Sequence, residues 1–171
     1  MRKDSYVNKT RIMKKQVKGN TYPPTFRMSK FKGKTMNCYA YCFDVAINDT
    51  AYDFLFPGCI SRFDSPRDLY TEEQVISGFI RDAQYLGFSI REDDGRKDNS
   101  EYRVAVYIHP ALHDYPLGFH FSRQDADGTW SEKLGWDGPV QKNGIEGDIP
   151  ENLEADFMRL EKVFLLKKKE Q

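Results

Sequence analysis

The chain has 171 residues, 39% hydrophobic and 30% charged, with 26 basic and 26 acidic side chains. A chain of that length buries roughly two-thirds of its unfolded surface, so a single domain with its own core is expected without disulfides or a structural metal. The zero formal charge conceals two opposed segments: residues 1–35 hold eleven Lys and Arg against Asp4, a net of +10, and residues 36–171 hold the other 15 basic and 25 acidic groups, a net of −10.

In chain order, residues 1–34 are expected to form a basic, flexible arm with few core-forming side chains, in which Tyr22-Pro23-Pro24-Thr25 should be extended because each proline disfavours helix in the residue before it. Residues 35–171 form the domain. The stretch from Asn37 to Ala46 is apolar at helical spacing, and Asn37 is suited to cap it, which places Cys38 in the first turn. Pro57-Gly58 marks a loop. Thr71-Glu72-Glu73-Gln74 then has the form of a capping box opening a second helix, with Val75, Ile76, Phe79, Ile80, Ala83 and Leu86 on one face and Gly87 as its stop.

Beyond Gly87 the period changes to that of strands. Phe88–Arg91, Tyr102–Ile108, Gly118–Gln124 and Thr129–Lys133 are expected as strands, and Phe157–Lys168 as a terminal segment able to close the sheet. The order predicts an α+β fold with N-terminal helices packed on a C-terminal antiparallel sheet. No run approaches the roughly 18 apolar residues of a membrane span, and the N-terminus lacks the apolar middle of a secretory signal. A cytoplasmic chain beginning at Met1, with no membrane partner, is the expectation. Three cysteines, Cys38, Cys42 and Cys59, are the wrong arithmetic for a disulfide framework and suit reduced thiols.

Cys38 is the first candidate for chemistry, because a thiol at a helix N-terminus lies near free backbone amides that favour thiolate and can receive an oxyanion. The plainer reading makes Cys38 and Cys42, one helical turn apart, small buried hydrophobes. His120 is the matching base. In Phe119-His120-Phe121-Ser122-Arg123, strand alternation puts His120 and Ser122 on one face and Phe119, Phe121 and Arg123 on the other. A three-residue loop Ala126-Asp127-Gly128, with Gly128 in the left-handed position, places Ser122 opposite Glu132 and makes Glu132 the diagonal neighbour of His120. A carboxylate there can orient the imidazole and stabilise its charged form. A two- or four-residue loop would turn Glu132 to the other face, and Asp137 is the fallback orienter.

A cysteine opening a helix, followed by a histidine on a strand and a polar residue on the next strand, resembles the papain-like superfamily of cysteine hydrolases. Asn37-Cys38-Tyr39-Ala40-Tyr41 and the run from His120 to Lys133 are most similar to compact bacterial and phage members such as the NlpC-type cell-wall amidases. The resemblance implies a papain-like fold and acyl transfer at an amide of a protein or peptide substrate. In that scheme Cys38 attacks, His120 moves the proton, Glu132 orients His120, and no cofactor takes part. Glu132 stands where that family would place a histidine, and no glutamine lies just upstream of Cys38, so Asn37 is carried as an oxyanion donor or, more simply, a cap. The runner-up is a papain-like binding protein of bacterial or phage origin whose triad has drifted and which modulates a host protein.

Zinc is the competing chemistry for the cysteines and for His109, His113 and His120, but Cys38 and Cys42 lack a second close pair and Pro110 breaks any helix joining His109 to His113. No metal is expected. The arm, with Tyr6, Tyr22 and Phe26 among its cations, suits an acidic partner or the acidic body of the same chain, beside the plain reading of a solvated tail. Nucleic acid is the disfavoured alternative.

Overall fold

The computed structural model describes residues 22–26, 37–45, 56–61, 71–109, 117–135, 138–146, 152–153 and 158–170. Among them, two helices and seven strands follow in the order α1 (Cys38–Cys42), α2 (Glu72–Tyr85), β1 (Phe88–Glu92), β2 (Glu101–His109), β3 (Gly118–Gln124), β4 (Thr129–Lys133), β5 (Val140–Glu146), β6 (Asn152–Leu153) and β7 (Met158–Lys168). The strands form one antiparallel sheet ordered β1-β7-β2-β3-β4-β5, with β6 paired to β7. The fold is α+β. Among the described residues no helix is long and apolar enough to cross a membrane.

The helix signals act as their chemistry requires. Thr71 accepts from the Gln74 amide at 3.2 Å while the Gln74 side chain accepts from the Thr71 amide at 2.9 Å, so each side chain satisfies an orphan donor of the first turn of α2. Gly87 ends the helix at φ 82°. The apolar run beginning at Asn37 yields a helix of only five residues. It stops because the chain turns at Phe43 and Asp44, with Asp44 in the left-handed region at φ 56°, a conformation a short polar side chain tolerates.

Both helices cover one face of the sheet. Tyr39 and Phe43 of the α1 segment meet Phe79 of α2, which also packs on Phe121 of β3 and Phe164 of β7 with ring centroids 5.2 and 5.4 Å away. Burying each such side chain contributes about 1.5–3 kcal/mol. Val104 and Val106 of β2 join this core, whereas Ala105 and Tyr107, pointing the other way, form a second cluster with Trp130. α2 approaches the loop at Pro57 so closely that a Cβ on Gly78 would lie 2.7 Å from the Pro57 carbonyl carbon. The buried Asp82 carboxylate seals this junction, accepting from the Tyr39 hydroxyl at 2.7 Å and from the amides of Gly58, Ile60 and Ser61.

Three features lie beyond the sequence expectation. The terminal strand β7 does not close an edge but sits between β1 and β2, and β5 is a strand without an alternating pattern. Residues 22–26, assigned to the arm by composition, pack on the body. Tyr22 lies edge-on to Phe88 at 5.2 Å and donates to the Phe43 carbonyl, and the Pro24 carbonyl accepts from the Ala126 amide at 2.8 Å. The rest of the basic arm falls outside the described residues.

Candidate active site

The hairpin of β3 and β4 determines what can meet. Asp125 donates its amide to the Thr129 carbonyl at 2.8 Å, leaving a three-residue loop of Ala126, Asp127 and Gly128, with Gly128 at φ 84°. The register that follows pairs Ser122 with Glu132, Arg123 with Ser131 and Gln124 with Trp130. Glu132 therefore shares a face with His120 and Ser122. The described β3–β4 pairing begins at Ser122, so His120 stands where the two strands have parted.

His120 and Glu132 form a short pair, Nε2 to Oε2 at 2.6 Å, and Ser122 Oγ donates to the same carboxylate oxygen at 3.2 Å. From α1, the Cys38 thiol stands within hydrogen-bonding reach of the His120 ring. The three side chains predicted from sequence thus come together, each largely buried, with Cys38, His120 and Glu132 exposed by 6, 9 and 6%. Burial opposes a charge on His120, but the hydrogen bonds and charges of Cys38 and Glu132 outweigh it and raise the ring's pKa from 6.5 to about 10. Burial likewise opposes the charge on Glu132, and hydrogen bonds from His120, Gln141 and Ser122 overcome it and hold the carboxyl below its usual range. The pair is therefore an imidazolium facing a carboxylate at neutral pH.

The two cysteines of α1 differ in kind. Cys42 is wholly buried, donates its thiol to the Tyr39 carbonyl at 2.9 Å, and has its pKa pushed up by burial, which makes it a packing residue. Cys38 faces the histidine. Asn37 acts as the cap, its side-chain oxygen accepting from the Ala40 amide at 3.0 Å, so that oxygen is committed to the helix. The amides of the first turn, which no helix can satisfy internally, lie beside Cys38. Asp137, the fallback orienter, and His113 lie outside the described residues.

Sequence reasoning missed Gln141 of β5, whose Nε2 donates to Glu132 Oε1 at 3.0 Å. It sits directly across from Glu132 in the β4–β5 register. Without a predicted β5 no signal could place it there. Tyr107, opposite His120 on β2, is also new to the site, its hydroxyl pKa raised by burial and by the Glu132 charge.

Other candidate sites are weaker. Among the described residues no three His, Cys, Asp or Glu side chains gather as metal ligands. An open depression of about 690 Å³ at the β1–β7 edge is lined by Tyr22, Ser89, Ser100 and Lys167, far in the sheet order from the triad. Two of its cations are engaged: Lys167 pairs with Asp98, and Lys168 donates to the Leu86 carbonyl.

Fold and site together define an α+β domain with a buried Cys-His-Glu cluster drawn from α1, β3 and β4. The chain belongs to the DUF7689 family, described as a domain of unknown function, whose model matches residues 27–150. No curated protein and no solved structure matches it. The family region contains the whole cluster and Gln141 but neither the docked segment 22–26 nor β7.

Proposed function

We propose that this protein is a papain-like cysteine hydrolase, akin to compact bacterial and phage amidases, that cleaves an amide bond of a protein or peptide substrate. The observation that carries the reading is the meeting of Cys38, His120 and Glu132, from three separate elements, in one buried cluster. A packing cysteine gains nothing from a charged imidazole, and a surface histidine has no use for a buried carboxylate.

The steps follow from the contacts. With Nε2 engaged by Glu132, Nδ1 is the ring nitrogen that exchanges a proton with Cys38. The Cys38 sulfur, paired with the imidazolium, attacks the amide carbonyl carbon, and the developing oxyanion is received by first-turn amides of α1. His120 then gives its proton to the departing amine as the carbon–nitrogen bond breaks. Water, deprotonated by the same nitrogen, hydrolyses the thioester, releasing the acid and returning the proton. Glu132 stays ionised throughout and holds the ring in place. The basic arm suits an acidic substrate or partner, through its charge of opposite sign to the body.

Alkylation by iodoacetamide near pH 6.5 tests the reading without knowledge of the substrate. Cys38 should label faster than Cys59 although Cys59 is the more exposed, and denaturation should erase the preference. Cys38→Ala should abolish amide hydrolysis while leaving the fold intact. A Cys38 no more reactive than Cys59 would instead fit a binding protein on the same fold.

A further inference from the structure

The Glu132 carboxylate receives more than its partnership with His120 requires. The β3–β4 and β4–β5 registers set Ser122, Glu132 and Gln141 in one row across three strands, each directly opposite the next. Within that row Glu132 Oε2 takes the His120 ring and the Ser122 hydroxyl, while Oε1 takes Gln141 Nε2 at 3.0 Å. The two ends of the carboxylate are therefore held by different strands.

We propose that Gln141 is a positioning residue that locks the Glu132 carboxylate against the His120 ring, acting on the reaction through Glu132 rather than by touching substrate. The proposal rests on the reading of Cys38, His120 and Glu132 as catalytic. Its physical basis is the freedom of the last torsion of a glutamate, which is broad and interchanges the two oxygens. A donor on Oε1 fixes that torsion and leaves Oε2 pointing at the ring. An amide suits the task because it is neutral: it orients the carboxylate without cancelling its charge, whereas a Lys or Arg in its place would compete with the imidazolium. Glu132 is faced by His120 and Ser122 from β3, by the Tyr107 ring from β2 and by Gln141 from β5, while Cys38 of α1 faces His120. Among these groups Gln141 supplies the side-chain donor on Oε1.

The test uses the full chain and two substitutions at a half-buried strand position. Gln141→Met keeps the length and removes the donor, and Gln141→Asn keeps the amide but draws it back by one methylene. In both, the His120 midpoint followed by NMR of the ring should fall by about half a pH unit or more from its wild-type value, because a loosened carboxylate stabilises the charged ring less. The ratio of Cys38 to Cys59 alkylation at pH 5 should drop roughly three- to tenfold, with Cys59 itself unchanged. A substitution that merely loosened packing would admit water to the ring and raise the midpoint, because burial opposes the ring's charge, so a fall is the signature of a loosened carboxylate. If the wild-type Cys38 labels preferentially and neither variant alters the midpoint or the ratio, the role of Gln141 is refuted while the hydrolase reading stands. If the wild type shows no preference for Cys38, the hydrolase reading falls first, and the His120 midpoint still reports whether Gln141 holds Glu132.

Discussion

The two faces of the β3–β4 hairpin each carry a buried ionic network, and the two are built to opposite ends. On the helix side Arg123, wholly buried, donates from Nε to Asp125 at 3.0 Å and from Nη1 to Asp44 at 3.2 Å and to the Tyr41 carbonyl at 2.8 Å. Its Nη2 reaches the Thr25 carbonyl, its guanidinium lies 3.9 Å from the Tyr41 ring centre, and Ser131 closes the far side of Asp125. One cation meets two carboxylates through a rigid fork, with further acceptors on two other segments, so this network pins α1 and the docked segment 22–26 to the hairpin. On the other face the charged group is a histidine, whose protonation changes within the range of solution pH and whose ring has one nitrogen turned to a thiol. The difference teaches that burial alone does not mark a functional cluster. The Arg123 network directs all its hydrogen bonds to structural acceptors, whereas His120 divides its ring between the Glu132 carboxylate and the Cys38 thiol.

The largest expected effect breaks the first network. Arg123→Met should cost about 3–5 kcal/mol, because it leaves Asp44 and Asp125 buried without their cation. Burial already pushes the Asp125 carboxyl upward against the opposing pull of Arg123 and Ser131, so without Arg123 the carboxyl should bind a proton. Urea unfolding at pH 7 checks this. A loss below about 1 kcal/mol, the range of a surface pair, would show that the network does not clamp α1 to the hairpin.

The next effect separates the two faces by pH. Glu132→Gln should destabilise the fold by about 1–3 kcal/mol near pH 6, the range of a hydrogen bond to a charged group. His120 has its pKa raised from 6.5 to about 10 on folding, so its contribution is complete below about 6.5 and disappears as pH rises through about 10. Glu132 is shifted the other way, from 4.5 downward, so its contribution is present above 4.5 and disappears as pH falls below it. The stability gap between wild type and Glu132→Gln should therefore be widest between these limits and narrow toward pH 10. The gap caused by Arg123→Met should not narrow over the same interval, since Arg123 stays charged. A Glu132→Gln gap equally wide at pH 6 and pH 10 would remove the imidazolium–carboxylate pair from the description.

Much of this contrast was legible in the sequence, for reasons that differ by element. Helix α2 and the β3–β4 hairpin carry their own instructions: a reciprocal capping box at Thr71 and Gln74, and a glycine at the left-handed position of a three-residue loop. The alternation of β3 then assigned His120 and Arg123 to opposite faces before any contact was known. What stayed hidden depends on long-range pairing. β5, Gln-Lys-Asn-Gly-Ile-Glu after Val140, has a polar, glycine-containing sequence with no period of two, and it is a strand because β4 offers it an edge. With β5 unseen, Gln141 could not be placed beside Glu132. The Asn37–Ala46 run promised a longer helix, and it was cut short by Asp44, whose partner Arg123 lies 79 residues away. The placing of β7 between β1 and β2, and the docking of Tyr22 on Phe88, likewise rest on partners distant in the chain.

The smallest expected effect probes the feature on which the division of faces depends. Gly128 sits at φ 84° with open space where a Cβ would be, so Gly128→Ala meets no clash and its cost is that of the backbone alone, about 1 kcal/mol. The loop is otherwise held by the Gly128 amide on the Asp125 carbonyl at 2.9 Å and by Asp127, whose carboxylate accepts from the Thr129 amide and hydroxyl. Those bonds do not involve the missing Cβ, and the register should survive. Gly128→Ala is therefore expected to unfold at slightly lower urea while keeping the preference of iodoacetamide for Cys38. Deleting Ser131 from β4 is the sharper experiment: with the loop unchanged, Glu132 moves one place along the strand to stand opposite Arg123 and turns toward the Arg123 face, since side chains alternate along a strand. The alkylation preference should then vanish. Its survival in the deletion variant would mean that Cys38 owes its reactivity to something other than the His120–Glu132 pair.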